Sequence, residues 1–221
     1  MRRVFRIVAA LPIILVWSAS TPVFAGPIII SYDIVNANLS GLGGWAHTYS
    51  GTITPTGPGL ANYTGGAGTL NDGTRNNVYN SQLFDATSGP VITLYLDDYY
   101  AVSSISVFGG DFSNAIPGLL ETMYISFGGT AYQYSGTPFG FQGPSVRTSD
   151  LFTITGPLSG LVTNQIVLSG FGGPLYGDRT FSIAEIEVAG GGATPVADPG
   201  STLLLFGIGL AGLRAWRKGL R

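Results

Sequence analysis

Through the middle of the chain, apolar, β-branched and aromatic residues come in short runs, separated by glycine, proline, asparagine and serine. Several runs alternate apolar and polar positions with a period of two, the spacing of a strand with one face in a core. The pattern predicts strands over residues 28–35, 47–54, 91–97, 102–108, 122–127, 130–134, 151–155, 165–169 and 180–188. No stretch between residues 26 and 190 repeats at the spacing of an amphipathic helix, so the expected class is all-β, a sandwich or barrel. In the last run, Phe181 and Ile183 are out of phase with Ile186 and Val188. That change of face predicts a bulge or burial on both sides.

The two ends break this pattern. Arg2, Arg3 and Arg6 precede an apolar run over residues 7–17, and Val23-Phe24-Ala25 supplies small residues for a signal peptidase. Residues 1–25 therefore read as a signal peptide, cut between Ala25 and Gly26. The alternative, an N-terminal membrane helix, is opposed by the short run and by Pro12 within it. At the other end, residues 201–213 are apolar and would rise about 20 Å as a helix, against roughly 30 Å of hydrocarbon. Snorkelling by Arg214 and an interfacial Trp216 bring the segment close to spanning. The expected organisation is a signal peptide (1–25), a β-domain (26–190), a Gly/Pro linker (191–200) and a C-terminal transmembrane sorting helix with a basic tail (201–221).

Charge is segregated. Three of the ten basic residues precede residue 26 and four lie at or beyond Arg214, while all twelve carboxylates lie between Asp33 and Asp198. Residues 26–199 thus hold three arginines against twelve acids, a net charge of −9, and no lysine. Such a surface disfavours nucleic acid and anionic lipid as partners and suits neutral sugars or divalent cations. There is no cysteine, hence neither a disulfide framework nor thiol chemistry. The glycine clusters at 41–44 and 170–173 read as tight turns with positive φ; a phosphate-cradling loop is the other reading, but no helix follows either cluster.

The tail Pro195-Val196-Ala197-Asp198-Pro199-Gly200-Ser201, the apolar segment after it and the terminal Arg214, Arg217, Lys218 and Arg221 together resemble the PEP-CTERM sorting signal of Gram-negative bacteria. Val196, Asp198 and Pro199 match its Val-Pro-Glu-Pro-like motif, with Ala197 replacing the first proline. The resemblance implies an exosortase-type membrane protease as partner, with transient residence in the inner membrane. The chain would then pass to the outer surface or the extracellular matrix. An ordinary membrane anchor is the alternative reading. A glycolipid-anchor signal fits less well, because such tails end apolar.

A second resemblance covers roughly residues 65–190. Leu70-Asn71-Asp72-Gly73-Thr74, the runs around residues 92–97, 100–107 and 124–132, and the closing Ala184-Glu185-Ile186-Glu187-Val188 are similar to the galactose-binding-like jelly roll of F5/8 type C (discoidin) domains and many carbohydrate-binding modules. Leu96-Asp97-Asp98 stands where that family often has Asp-Leu-Gly, and the tryptophan after the Asp-Gly loop is absent. The resemblance implies a β-sandwich with a structural calcium held by Asp72, Thr74 and Glu185, together with carbonyl oxygens of the 70–76 loop. Calcium takes six to eight oxygen ligands. Without an ion, Asp72 would stabilise a turn and Glu185 would be a solvated strand residue.

Sugar-binding modules stack aromatic rings on the apolar face of a pyranose and bond its hydroxyls with a few polar groups. Trp45, Arg75, Tyr79, Tyr176 and Arg179 are candidates in expected loops, beside His47, Asn76, Asn77 and Asp178. Trp45 and the tyrosines would otherwise fill the core edge or the surface. His47, the single histidine, reads as a solvated loop residue, and Asp97-Asp98-Tyr99-Tyr100 as a strand-end turn. There is no Gly-x-Ser-x-Gly elbow, no His-Glu-x-x-His and no thiol nucleophile. A glycosidase needs only two carboxylates, whose spacing a sequence does not give. The expected function is a non-catalytic carbohydrate-binding or adhesive surface protein associated with exopolysaccharide and biofilm. A purely structural surface protein and a secreted glycan hydrolase stand as the alternatives.

Overall fold

The computed structural model describes residues 26–75, 80–110, 117–118, 120–138, 146–173 and 179–192. The signal peptide with Ala25, the loop residues Asn76, Asn77, Tyr79, Tyr176 and Asp178, the sorting motif Val196–Pro199 and the tail 201–221 lie outside the described residues. Among the described residues, no helix is long and apolar enough to cross a membrane.

The protein is an all-β sandwich. Its strands are β1 (Ile29–Asn38), β2 (Thr52–Gly57), β3 (Leu60–Gly66), β4 (Gln82–Asp85), β5 (Val91–Gly110) and β6 (Thr122–Phe127). They continue with β7 (Thr130–Ser135), β8 (Val146–Thr153), β9 (Val162–Gly172), β10 (Thr180–Ile183) and β11 (Glu185–Gly192). Seven strands form one layer in the order β2-β3-β1-β5-β9-β6-β7. The long β5 belongs to both layers. Its first part pairs with β1 and β9, while Ser104–Gly110 pairs with β8 and the stretch from Tyr100 to Phe108 with β11. A strand has two neighbours at any point, so this exchange of partners carries β5 from one layer into the other. The β4–β10 pair continues the second layer, with Ala184 N–H donating to the Phe108 carbonyl (2.7 Å).

Both layers turn their apolar phase onto one core. It holds Tyr32, Ile34, Ile92, Leu94, Ile166 and Leu168 from the first layer and Ile105, Val107, Phe152 and Ile183 from the second. Phe84 and Phe181 stack with centroids 4.9 Å apart, and Phe171 tilts against Phe181 at 5.0 Å.

Several expected elements are redrawn. The strands expected at 91–97 and 102–108 are one, because β5 runs on through the polar Asp97–Tyr99 stretch as a bulge. Asp97 N–H donates to the Ile28 carbonyl while its Oδ1 accepts the Ile28 N–H, and Tyr100 faces Thr163 after a bulge. Asp97-Asp98-Tyr99-Tyr100 is therefore a bulged mid-strand segment and not a strand-end turn. The strand expected at 47–54 starts only at Thr52, with Tyr49 making an isolated bridge to Gly68. β3 and β4 were absent from the expected set, and the 180–188 run is two strands divided at Ala184. Phe181 through Ile186 are all buried, so its change of phase reflects burial on both faces. The glycines of the 41–44 cluster do form a tight turn, with φ of 91° at Gly41 and 85° at Gly44.

Candidate functional site

The Asp-Gly loop meets the start of β11 through Gly73 and Glu185. A short turn over Thr69–Asn71 is tied down by Asn71, whose amide donates to the Ile29 carbonyl (2.8 Å) and accepts from Gly68 N–H (2.9 Å). Gly73 then takes a φ of 77°, which aims its N–H at Glu185 Oε2 (2.9 Å). Asp72 accepts the Thr74 N–H at Oδ1 (2.8 Å), the side-chain turn expected of an aspartate there.

Glu185 is not a solvated strand residue, being only 4% exposed. Burial pushes its carboxyl up to about 7, reinforced by Asp72 and Glu187 and opposed by the main-chain N–H groups of Gly73 and Asp72. Arg75 supplies the nearest cation. Its Nε donates to Glu187 Oε1 (2.8 Å), it forms an ion pair with the same carboxylate, and its guanidinium carbon lies 4.6 Å from the Phe108 ring centroid. A cleft of about 340 Å³ opens beside this loop, lined by Pro27, Ile28, Asn71, Gly73, Glu185 and Glu187 among others.

The donor set fits a hard cation in charge. A buried carboxylate is crowded by two others, and one arginine offsets them. Asp72 and Glu185 are the anionic ligands available, and among the described residues no three histidine, aspartate or glutamate side chains are placed to hold one metal ion together. Further ligands would have to be carbonyl or hydroxyl oxygens. Thr74 enters the arrangement through its N–H, and its side chain is exposed.

The expected sugar-contact residues do not assemble. Trp45 is 8% exposed, so its faces are turned away from solvent. Arg75 is committed to Glu187. Arg179, on the far end of β10, is exposed and sits 3.6 Å from Asp85. His47 is also a correction: it is 6% exposed and enclosed by tyrosines. Its Nε2 lies 3.0 Å from the Tyr32 hydroxyl, and its ring packs edge-on to Tyr63 (5.0 Å) and stacks with Tyr49 (6.0 Å). Nδ1 has no hydrogen-bond partner, and burial lowers the imidazole to about 4. Tyr49 donates to the Tyr32 carbonyl (2.7 Å) and accepts Gly66 N–H (2.8 Å), so this node binds the 40–50 loop to the sheet.

Sequence reasoning passed over the tyrosines at outward strand positions. Tyr124 on β6 is 42% exposed, and Tyr95 on β5 is partly exposed with its hydroxyl donating to Asp33 Oδ2 (2.9 Å). The signal was present, since both occupy the polar phase of expected strands.

The fold and its surface define an all-β sandwich with a carboxylate-bearing loop on one side and exposed tyrosines on another. No protein-family model and no curated protein matches the chain. Among solved structures, it is similar to GH31 CBM32-2 bound to GalNAc, at 12% identity and a TM-score of 0.35, covering 64% of this chain and 95% of that one. It is also similar to the family 32 carbohydrate-binding module from C. perfringens NanJ in complex with galactose, at 18% identity and a TM-score of 0.37, covering 64% and 91%. Identities this low, with TM-scores below 0.5, place no residue of either protein onto a residue of this chain.

Proposed function

We propose that residues 26–190 are a non-catalytic carbohydrate-binding or adhesive module. The observation that carries this reading is tyrosine exposure on a lysine-free domain: Tyr99, Tyr124 and Tyr132 stand 55%, 42% and 47% exposed. Exposed phenol rings present an apolar face for a sugar ring and a hydroxyl at its edge. A glycan array probed with the full chain tests it. Retention on at least one neutral glycan is expected; a folded sample retained on none contradicts it.

Delivery belongs to the same proposal. The signal peptide leads the chain across the inner membrane. The Val196-Ala197-Asp198-Pro199 tail presents it to an exosortase-type protease, and the domain ends on the outer surface or in the matrix beside exopolysaccharide. A structural calcium ion held by Asp72 and Glu185, with Thr74 supplying an oxygen, completes the proposal. The support is the buried Glu185 carboxyl with Asp72 and Glu187 beside it; the ion's part would be to offset their charge and brace the loop against β11.

A further inference from the structure

Side chains pointing away from the core on β1, β5, β9 and β6 make up the outward face of the seven-stranded layer. Its floor is low. Thr93 lies opposite both Asp33 and Val167, and Val167 lies opposite Ser126. Two tyrosines border this floor at opposite corners. Tyr95 faces Gln165 on β9, and Tyr124 faces Ser169 on the same strand. Four residues of rise and two strand spacings put the two positions about 16 Å apart.

Both rings are held in place. Tyr95 is fixed through Asp33, whose other oxygen accepts Gly65 N–H (2.6 Å). Tyr124 lies over Gly170: a Cβ there would sit 2.7 Å from the Tyr124 ring, so the glycine makes room for it. Asp33 is the one charged side chain among these residues, and both of its oxygens are engaged. Gln165 and Gln133, which faces Tyr124, are exposed at the margin.

We propose that this face is the glycan-binding surface and that its occupant is an extended, neutral polysaccharide chain laid from Tyr95 to Tyr124. The inference rests on the carbohydrate-binding reading and deepens it. Two separated rings suit a chain rather than a single sugar, and a flat floor of Thr93, Val167 and Ser126 leaves room for it. Glutamine, threonine and serine bond hydroxyls without a charge. An anionic glycan meets no cation on this face and a domain of net charge −9.

Affinity electrophoresis of the full chain through gels containing dextran, galactan or hydroxyethyl cellulose, with alginate as the anionic comparison, tests the assignment. Tyr124→Ala and Tyr95→Ala are each expected to weaken retardation in the neutral gel by about tenfold. Tyr124→Phe should keep most of it. If the wild type is retarded and a folded Tyr95→Ala/Tyr124→Ala double variant is retarded equally, the face is the wrong surface while sugar binding stands. Retardation by alginate alone would overturn the neutral-chain assignment. A folded wild type retarded by none of these gels would overturn it together with the reading beneath it.

Discussion

His47 and Glu185 are both buried and both titrate away from their ordinary values, in opposite directions. His47 drops from 6.5 to about 4, so the stability it contributes is present above pH 6.5 and lost as pH falls towards 4. Glu185 rises from 4.5 to about 7, so its contribution is present below pH 4.5 and lost as pH rises towards 7. In chelator the two slopes oppose between about pH 4.5 and 6.5, and urea denaturation of the wild type should give a nearly flat stability there. Glu185→Gln should expose the histidine slope, with stability falling on acidification by up to about 1.4 kcal/mol per pH unit; His47→Phe should show the reverse trend. Variants with the wild-type profile would refute these assignments. Calcium would hold Glu185 ionised. Adding it should raise the wild-type melting temperature and leave Glu185→Gln unmoved, whereas equal melting of the wild type in calcium and in chelator contradicts a bound ion. That the Asp-Gly loop lies beside Glu185 was legible through the resemblance, which marks each with a short motif. The burial of His47 was not, because two of the rings that enclose it, Tyr32 and Tyr63, come from β1 and β3.

Elements were legible where period-two alternation was clean. Residues 122–127 emerge with the expected bounds, while β3 was missed because Gly65 and Gly66 cut its alternation short. β5 was split because sequence shows the polarity of Asp97 and Asp98 but not the partners that keep them in a ladder. β3 also carries a close backbone approach near the tyrosine node: a Cβ on Gly66 would lie 2.3 Å from Gly51 N and 2.8 Å from the Tyr49 ring. Gly66→Ala should therefore cost about 1–3 kcal/mol in urea denaturation. Gly57→Ala, with open space around it on the edge strand β2, should change stability by less than about 0.5 kcal/mol. Equal effects of the two substitutions would contradict the close approach.

At the scale of the whole molecule, two basic ends bracket an acidic middle. If the ends are delivery devices, mass spectrometry of the exported protein should find a chain beginning at Gly26 and lacking Arg221. An exported chain that keeps Arg221 would contradict removal of the tail. The β-domain's partner is then set by its surface, which has exposed tyrosines, no lysine and an outward sheet face whose Asp33 is engaged at both oxygens. Neutral-glycan binding through rings and hydroxyls draws little on charge, so added salt should hardly change it. The most direct test is the mobility of the full chain in neutral-polysaccharide gels at low and high salt. The expected result is retardation that persists at high salt; no retardation of a folded sample, or retardation abolished by salt, would contradict the carbohydrate-binding account.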